Sequence, residues 1–161
     1  MPRMSYKREW VTANTGIIMV ISSEAQQIFL KYSQDENHKT EAGGILIGRR
    51  KGAHFEIIAA TEPTQHDIRT RTRFVRSEKI HSDIAKEAWA ISRGQISYIG
   101  EWHTHPEILP SPSSVDIDEW NKLSKECKSA DGYSVIIVGI NGLWCGIAKN
   151  TNQVISMIEA N

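Results

Sequence analysis

Apolar residues recur along this chain with two different periods. Short apolar runs of strand length occupy residues 17–21, 41–48, 55–61, 96–102, 133–140 and 143–148, with 154–158 as a last candidate. Between them, apolar positions fall on one helical face: Ala25, Ile28, Phe29 and Tyr32; then Ile80, Ile84, Ala88 and Ile91; then Ile117, Trp120, Leu123 and Cys127. Helix-start chemistry agrees with these stretches. Ser23 and Gln26 have capping-box spacing, Ser77 precedes the second stretch and Gly94 stops it, and Ser113 opens the third. Three prolines within residues 106–112 demand a loop. Asn141-Gly142 between two apolar runs predicts a hairpin with a type I′ turn. Strands alternating with helices and closing on a hairpin predict an α/β (α+β) fold, a sheet flanked by helices. Residues 1–15 read as a loose leader and residues 16–161 as one domain.

Composition narrows the function classes. Hydrophobic residues make up 40% of the 161 positions, enough for a real core. Lys plus Arg and Asp plus Glu both number 19. That balance argues against broad electrostatic capture of nucleic acid or of an anionic membrane. The first ten residues hold no apolar signal core, and the run 16–21 is far too short to span a bilayer. A soluble, cytoplasmic protein is expected, with neither nucleic acid nor membrane as partner. Cys127 and Cys145 have no paired-ligand spacing, so both read as reduced core residues.

The chemistry concentrates around His103-Thr104-His105-Pro106, at the end of a predicted strand. Residues i and i+2 of a strand share a face, so two imidazoles so placed can converge on one zinc. Asp116 follows after the proline-rich loop, in the first turn of the next predicted helix. Two His and one Asp leave a fourth position open, as catalytic zinc requires. Amide hydrolysis also needs a base, and one carboxylate can serve both proton transfers. Glu41, before Gly43-Gly44, is one candidate; Glu101, on the same strand face as His103, is the other. The glycines are expected to let backbone approach closely, leaving residues 41–48 as an open strand on which a substrate strand could lie. Blander readings exist: Ser113 with Asp116 is itself a capping-box-like pair, and Glu41 could be a solvated strand end. There is no His-Glu-x-x-His helix, no Pro-Cys-x-x-Cys and no glycine-rich phosphate loop. Glu107-Ile108 stands where a metallo-β-lactamase-like site would carry Asp-His.

An upstream Glu, then His-x-His-Pro, six variable residues and Ser-x-x-Asp resembles the JAMM (MPN-plus) family of metal-dependent isopeptidases. Here the pattern is Glu41, His103, His105, Pro106, Ser113 and Asp116. The resemblance implies a mixed central sheet with cytidine-deaminase-like layering, and one zinc per chain on His103, His105 and Asp116. It implies Glu41 rather than Glu101 as the base, and Ser113 as a stabiliser of the oxyanion. Size and a short connection after residue 127 look more like the short bacterial members, above all the JAMM proteases of CBASS anti-phage operons. That likeness implies a substrate with an extended C-terminal tail, either a ubiquitin-like modifier or a conjugated cGAS-like nucleotidyltransferase. Two alternatives accompany it: a desampylase-like protease acting on ubiquitin-like sulfur carriers, and a non-catalytic MPN scaffold. Arg69, Arg71, Arg73 and Arg76 stand apart from the motif. They read either as charges guarding an exposed edge strand or as a flap that grips the tail by strand addition.

Overall fold

The structure, a computed structural model, describes residues 7–127 and 129–160, except for the side chain of Cys127. In chain order the elements are β1 (Arg8–Val11), β2 (Ile18–Ile21), α1 (Ser23–Tyr32), β3 (Gly43–Lys51), β4 (His54–Ala60), β5 (Ile68–Thr70), β6 (Arg73–Val75) and α2 (Glu78–Ile91). There follow β7 (Ser97–Thr104), α3 (Ser114–Cys127), β8 (Tyr133–Val138), β9 (Leu143–Lys149), β10 (Gln153–Ser156) and β11 (Ile158–Glu159). Nine strands form one mixed sheet in the order β10-β9-β8-β7-β3-β4-β2-β1-β11, and β5 and β6 form a separate hairpin. The pairs β7–β8 and β2–β4 are parallel; the other pairs in the sheet are antiparallel.

The period-2 pattern decides which side chains meet. On β8, Ile136 and Val138 face α1, joining Ala25, Phe29, Phe55 and Trp102 in one core cluster. Val135 and Ile137 face the other way and pack with Trp120 of α3. A strand buried on both faces explains why residues 133–138 read as a continuous apolar run. Each such side chain contributes about 1.5–3 kcal/mol when fully buried.

Several sequence expectations need correction. Residues 8–11, expected within a loose leader, form β1, fixed by a two-pronged Arg8–Glu159 pair (2.6 and 2.8 Å) and a Trp10 only 7% exposed; residues 1–6 lie outside the described residues. Ser22, not Ser23, caps α1: its Oγ accepts the Ala25 N–H at 3.1 Å, and Gln26 donates to the carbonyls of Ile21 and Ser22. Neither Asn141 nor Gly142 takes a positive φ, so the turn is not type I′. The neighbouring proline-rich loop shapes it instead, through N–H groups of Ile140 and Asn141 donating to the carbonyls of Glu107 and Ile108. The apolar stripe expected on α2 is not its buried face, since Ile84 and Ile91 are 39% and 76% exposed. The side chain of that helix that is fully buried is His81. Finally, residues 43–51 are not an open strand. β3 is hydrogen-bonded to β4 on one side and β7 on the other. The space beside its glycines is filled from within, where a Cβ on Gly43 would lie 2.6 Å from the Trp102 carbonyl and 2.7 Å from the Phe74 ring. No described helix is long and apolar enough to cross a membrane.

Candidate metal centre

The centre sits where β7 runs out. Along β7, Glu101 and His103 are half-buried on the cleft side, while Trp102 and Thr104 are buried behind it. β3 pairs Gly43 with His103 and Gly44 with Trp102. The Thr104 N–H continues that ladder onto the Ala42 carbonyl at 2.8 Å, and the Ala42 N–H reaches Thr104 Oγ1 at 3.0 Å. Extending the same register by one step sets Glu41 opposite His105. Asp116 arrives from the other side, in the first turn of α3. Ser113 and Asp116 do form the reciprocal cap that their spacing suggests: the Ser113 N–H donates to Asp116 Oδ2 (2.9 Å) and the Asp116 N–H to Ser113 Oγ (3.1 Å). The cap aims the carboxylate rather than competing with it for a role.

Three donor groups converge here. His103 Nε2 lies 3.1 Å from His105 Nε2 and 3.2 Å from Asp116 Oδ1, and His105 Nε2 lies 3.2 Å from Asp116 Oδ2. The two Asp116 distances run to different oxygens. With one ligand atom from each residue the three lie within 4.8 Å of one another, a group of two imidazoles and one carboxylate able to close on a zinc-type ion, whose bonds of about 2.0–2.1 Å set ligand atoms about 3.3 Å apart. His105 Nδ1 faces Glu107 Oε1 at 2.8 Å. With the proton on Nδ1 the Nε2 lone pair is free to point inward, the usual way an outer carboxylate orients a ligating histidine. Trp120 stands under His103 (centroids 6.2 Å apart) and stacks on Trp144 at 5.5 Å and 12°.

Charge and burial set the proton affinities. Burial pushes the Asp116 carboxyl up, but the bonds to His103 and His105 outweigh it and hold it far below the ordinary range. Burial lowers His105, while Asp116 and Glu107 together raise it to about 9. Glu41 is 6% exposed, and burial raises its carboxyl to about 7 against the pull of His103 and His105. The two carboxylates left open by the spacing therefore differ. Glu101 is engaged by Arg76 in an ion pair and by the Tyr98 hydroxyl (3.4 Å), whereas no lysine or arginine pairs with Glu41 among the described residues.

A cleft of about 850 Å³ holds Glu41, His103, His105, Ser113 and Asp116. It shares Arg76, Glu78, Leu123 and Glu126 with a groove of about 450 Å³ between α2 and α3, lined further by Ile45, Ala85 and Trp89. β6 lines this cleft, and Arg69, Arg71 and Arg76 are engaged within the chain. Arg69 Nε donates to the Glu41 carbonyl (2.8 Å), the Glu41 N–H donates to the Thr70 carbonyl (2.7 Å), and Arg71 reaches the carbonyls of Glu36, Asn37 and Lys39. Arg76 holds Glu101; Arg73 is exposed and lines the cleft. Sequence reasoning missed Glu107, although its position two residues after His105 carries that signal. It also missed the Arg76–Glu101 pair, which no spacing announces.

The family described as prokaryotic homologs of the JAB domain matches residues 22–152. The chain belongs to this family, as its motif suggested. Among curated proteins, a CD-NTase/cGAS isopeptidase of Pseudomonas aeruginosa (strain BWHPSA011 / Pa011) is 35% identical over 150 residues, covering 93% of this chain and 95% of that protein. A second of the same name from Escherichia coli (strain TW11681) is 38% identical, covering 80% of each. A third, from Vibrio cholerae, is 34% identical, covering 88% of each. A solution structure from Desulfitobacterium hafniense shares the fold with a TM-score of 0.55 at 17% identity, covering 84% of this chain and 85% of that one.

Proposed function

We propose that this chain is a zinc-dependent isopeptidase of a bacterial anti-phage (CBASS) system. It cuts after the C-terminal residue of a conjugated cGAS-like nucleotidyltransferase and frees it from its targets. The observation that carries this reading is the convergence of two imidazoles and a carboxylate beside a buried, raised carboxyl in one cleft. Three relatives that align with most of this chain are named CD-NTase/cGAS isopeptidases, which supports the substrate class.

His103, His105 and Asp116 hold one zinc per chain. When bound, zinc supplies Lewis-acid activation at near-neutral pH. The Glu41 carboxylate takes the proton of the attacking water and delivers it to the leaving amine, a double duty suited to a carboxyl raised to about 7. The exposed Ser113 hydroxyl donates to the substrate oxygen that gains negative charge. The substrate tail runs along β6, which among the described residues pairs with β5 alone and presents Arg73, Phe74 and Val75 to the cleft. Backbone pairing there supplies affinity. The adjoining groove takes an apolar side chain of the tail.

The test is a nucleotidyltransferase fused through its C-terminal residue to a reporter, incubated with wild-type or Glu41→Ala protein and read by intact mass. One cut directly after the C-terminal residue is expected, slowed on the order of 100-fold or more in Glu41→Ala, while Glu101→Ala keeps the cut site. Efficient cutting of ubiquitin chains or sulfur-carrier fusions, with none of the nucleotidyltransferase fusion, would replace the substrate assignment. Absence of metal-dependent cutting on every conjugate would leave a binding scaffold.

A further inference from the structure

α2 lies beside the cleft, yet neither hydrophobic core cluster contains one of its residues. Its fully buried side chain is polar: His81, 0% exposed. That imidazole is bonded at both nitrogens. Nδ1 lies 2.7 Å from Thr61 Oγ1, and Nε2 lies 3.1 Å from Asp67 Oδ2. Asp67 also has a fully buried side chain, and it accepts the N–H groups of Ser77 (2.7 Å) and Thr64 (2.7 Å). Burial raises the Asp67 carboxyl, but those two N–H groups and His81 outweigh it, so the group is held ionised. Thr61 Oγ1 accepts the Ile45 N–H at 2.9 Å, and the Thr61 carbonyl accepts the Trp102 indole N–H at 3.0 Å. An ionised carboxylate only accepts, so His81 Nε2–H donates to Asp67; in the neutral ring with that proton the Thr61 hydroxyl donates to Nδ1. Every member is then satisfied, and none reaches the cleft, so the trio is not a second active site despite its Thr-His-Asp composition.

Its two ends lead to the two halves of the centre. Asp67 immediately precedes β5, and through Ser77 it also ties the chain just after β6, so it clasps the root of the hairpin. β5 in turn grips the backbone of Glu41 through Thr70 and Arg69. Thr61 bonds the sheet beside Gly44 and braces Trp102, the residue before His103. We propose that His81 is a positioning residue whose imidazole bridges the root of the β5–β6 hairpin to the sheet and thereby sets the Glu41 carboxylate relative to the metal ligands. The proposal rests on the reading of Glu41 as the base. It predicts unchanged zinc content, a large defect in turnover, because displacing a catalytic group by about 1 Å can cost about 100-fold, and a smaller rise in KM, because β6 of the same hairpin pairs with the tail.

The experiment compares wild-type, His81→Ala and His81→Gln proteins. Gln extends a donor to about where Nε2 sits and so can keep the Asp67 bond. Three quantities are read: zinc per chain, hydrogen exchange of residues 68–76, and kcat and KM on the tail-fused reporter. His81→Ala is expected to keep its zinc, to exchange faster at residues 68–76 than elsewhere, to lose kcat by about 10- to 100-fold, and to raise KM by a smaller factor than kcat falls. His81→Gln recovers most of both the protection and kcat. If His81→Ala does not fold, a His81→Gln protein with intermediate protection and kcat carries the same conclusion. Wild-type protection and kcat in a folded His81→Ala protein would overturn the proposal, as would faster exchange spread evenly over the sheet with kcat unchanged. If wild-type protein cuts no conjugate, the functional reading falls, and the exchange at residues 68–76 alone decides whether His81 holds the hairpin.

Discussion

Replacing Glu41 by Gln in metal-free protein isolates what the fold imposes on that carboxyl. Burial raises it from 4.5 to about 7. A raised carboxyl stabilises the folded state while it is protonated. Its contribution is complete below about pH 4.5 and is lost as pH rises through about 7. At roughly 1.4 kcal/mol per pH unit, the loss over that whole range amounts to at most about 3.5 kcal/mol. For a chain of this size each kcal/mol moves Tm by about 2–4 °C, and about 2 kcal/mol of the loss falls between pH 4.5 and 6.5, so the chelated wild-type protein should lose about 4–8 °C there. Other shifted groups act elsewhere. His105, raised to about 9, remains charged throughout pH 4.5–6.5, and the carboxyls of Asp116, Asp67, Glu56, Glu62 and Glu159 are lowered, so their effects fall on the acid side. Glu41→Gln carries no titrating proton there and should melt at a nearly constant temperature from pH 4.5 to 6.5. The assay is thermal unfolding in chelator at several pH values, followed by circular dichroism. Parallel pH dependence in wild-type and Glu41→Gln proteins would refute the burial argument. A matching flattening in Glu101→Gln would place the raised carboxyl at the wrong residue.

Purified protein should hold about one zinc per chain, and His105→Ala should lose most of it; full zinc content in the variant, measured by mass spectrometry or atomic absorption, would dismiss the donor set. Glu107→Gln keeps the shape but weakens the orientation of His105, so zinc affinity should fall about 10- to 100-fold in competition with a chelating dye, with melting of the metal-free protein little changed. Gly43→Ala pushes a methyl into the Trp102 carbonyl and the Phe74 ring, both under 3 Å from it. It should cost about 1–3 kcal/mol and loosen residues 73–75; a denaturation midpoint equal to wild type would show that β3 can shift after all.

Much of this protein is written locally. The apolar runs at residues 43–48, 97–102 and 133–138 are strands because they are too short for a buried helix and carry no competing helical stripe. His103 and His105 share a side because two residues along a strand restore the side-chain direction, and Ser113-x-x-Asp116 caps a helix because the cap is a four-residue interaction. The resemblance rests on those same short spacings. Tertiary structure decided what no spacing can carry. Glu41 meets His105 only because the β3–β7 register from Gly43 to Leu46 continues to Ala42 and Thr104, residues 62 apart. That pairing also closed β3 to any incoming strand and left the β6 edge beside the cleft. The same holds for α2, where the helical stripe pointed to Ile84 and Ile91 but the sheet took His81. Hydrophobic period reports which face could be buried. When a buried polar side chain finds a partner for each of its polar atoms, hydrogen bonding can overrule that face, and the partners Thr61 and Asp67 come from segments that only the folded chain brings together.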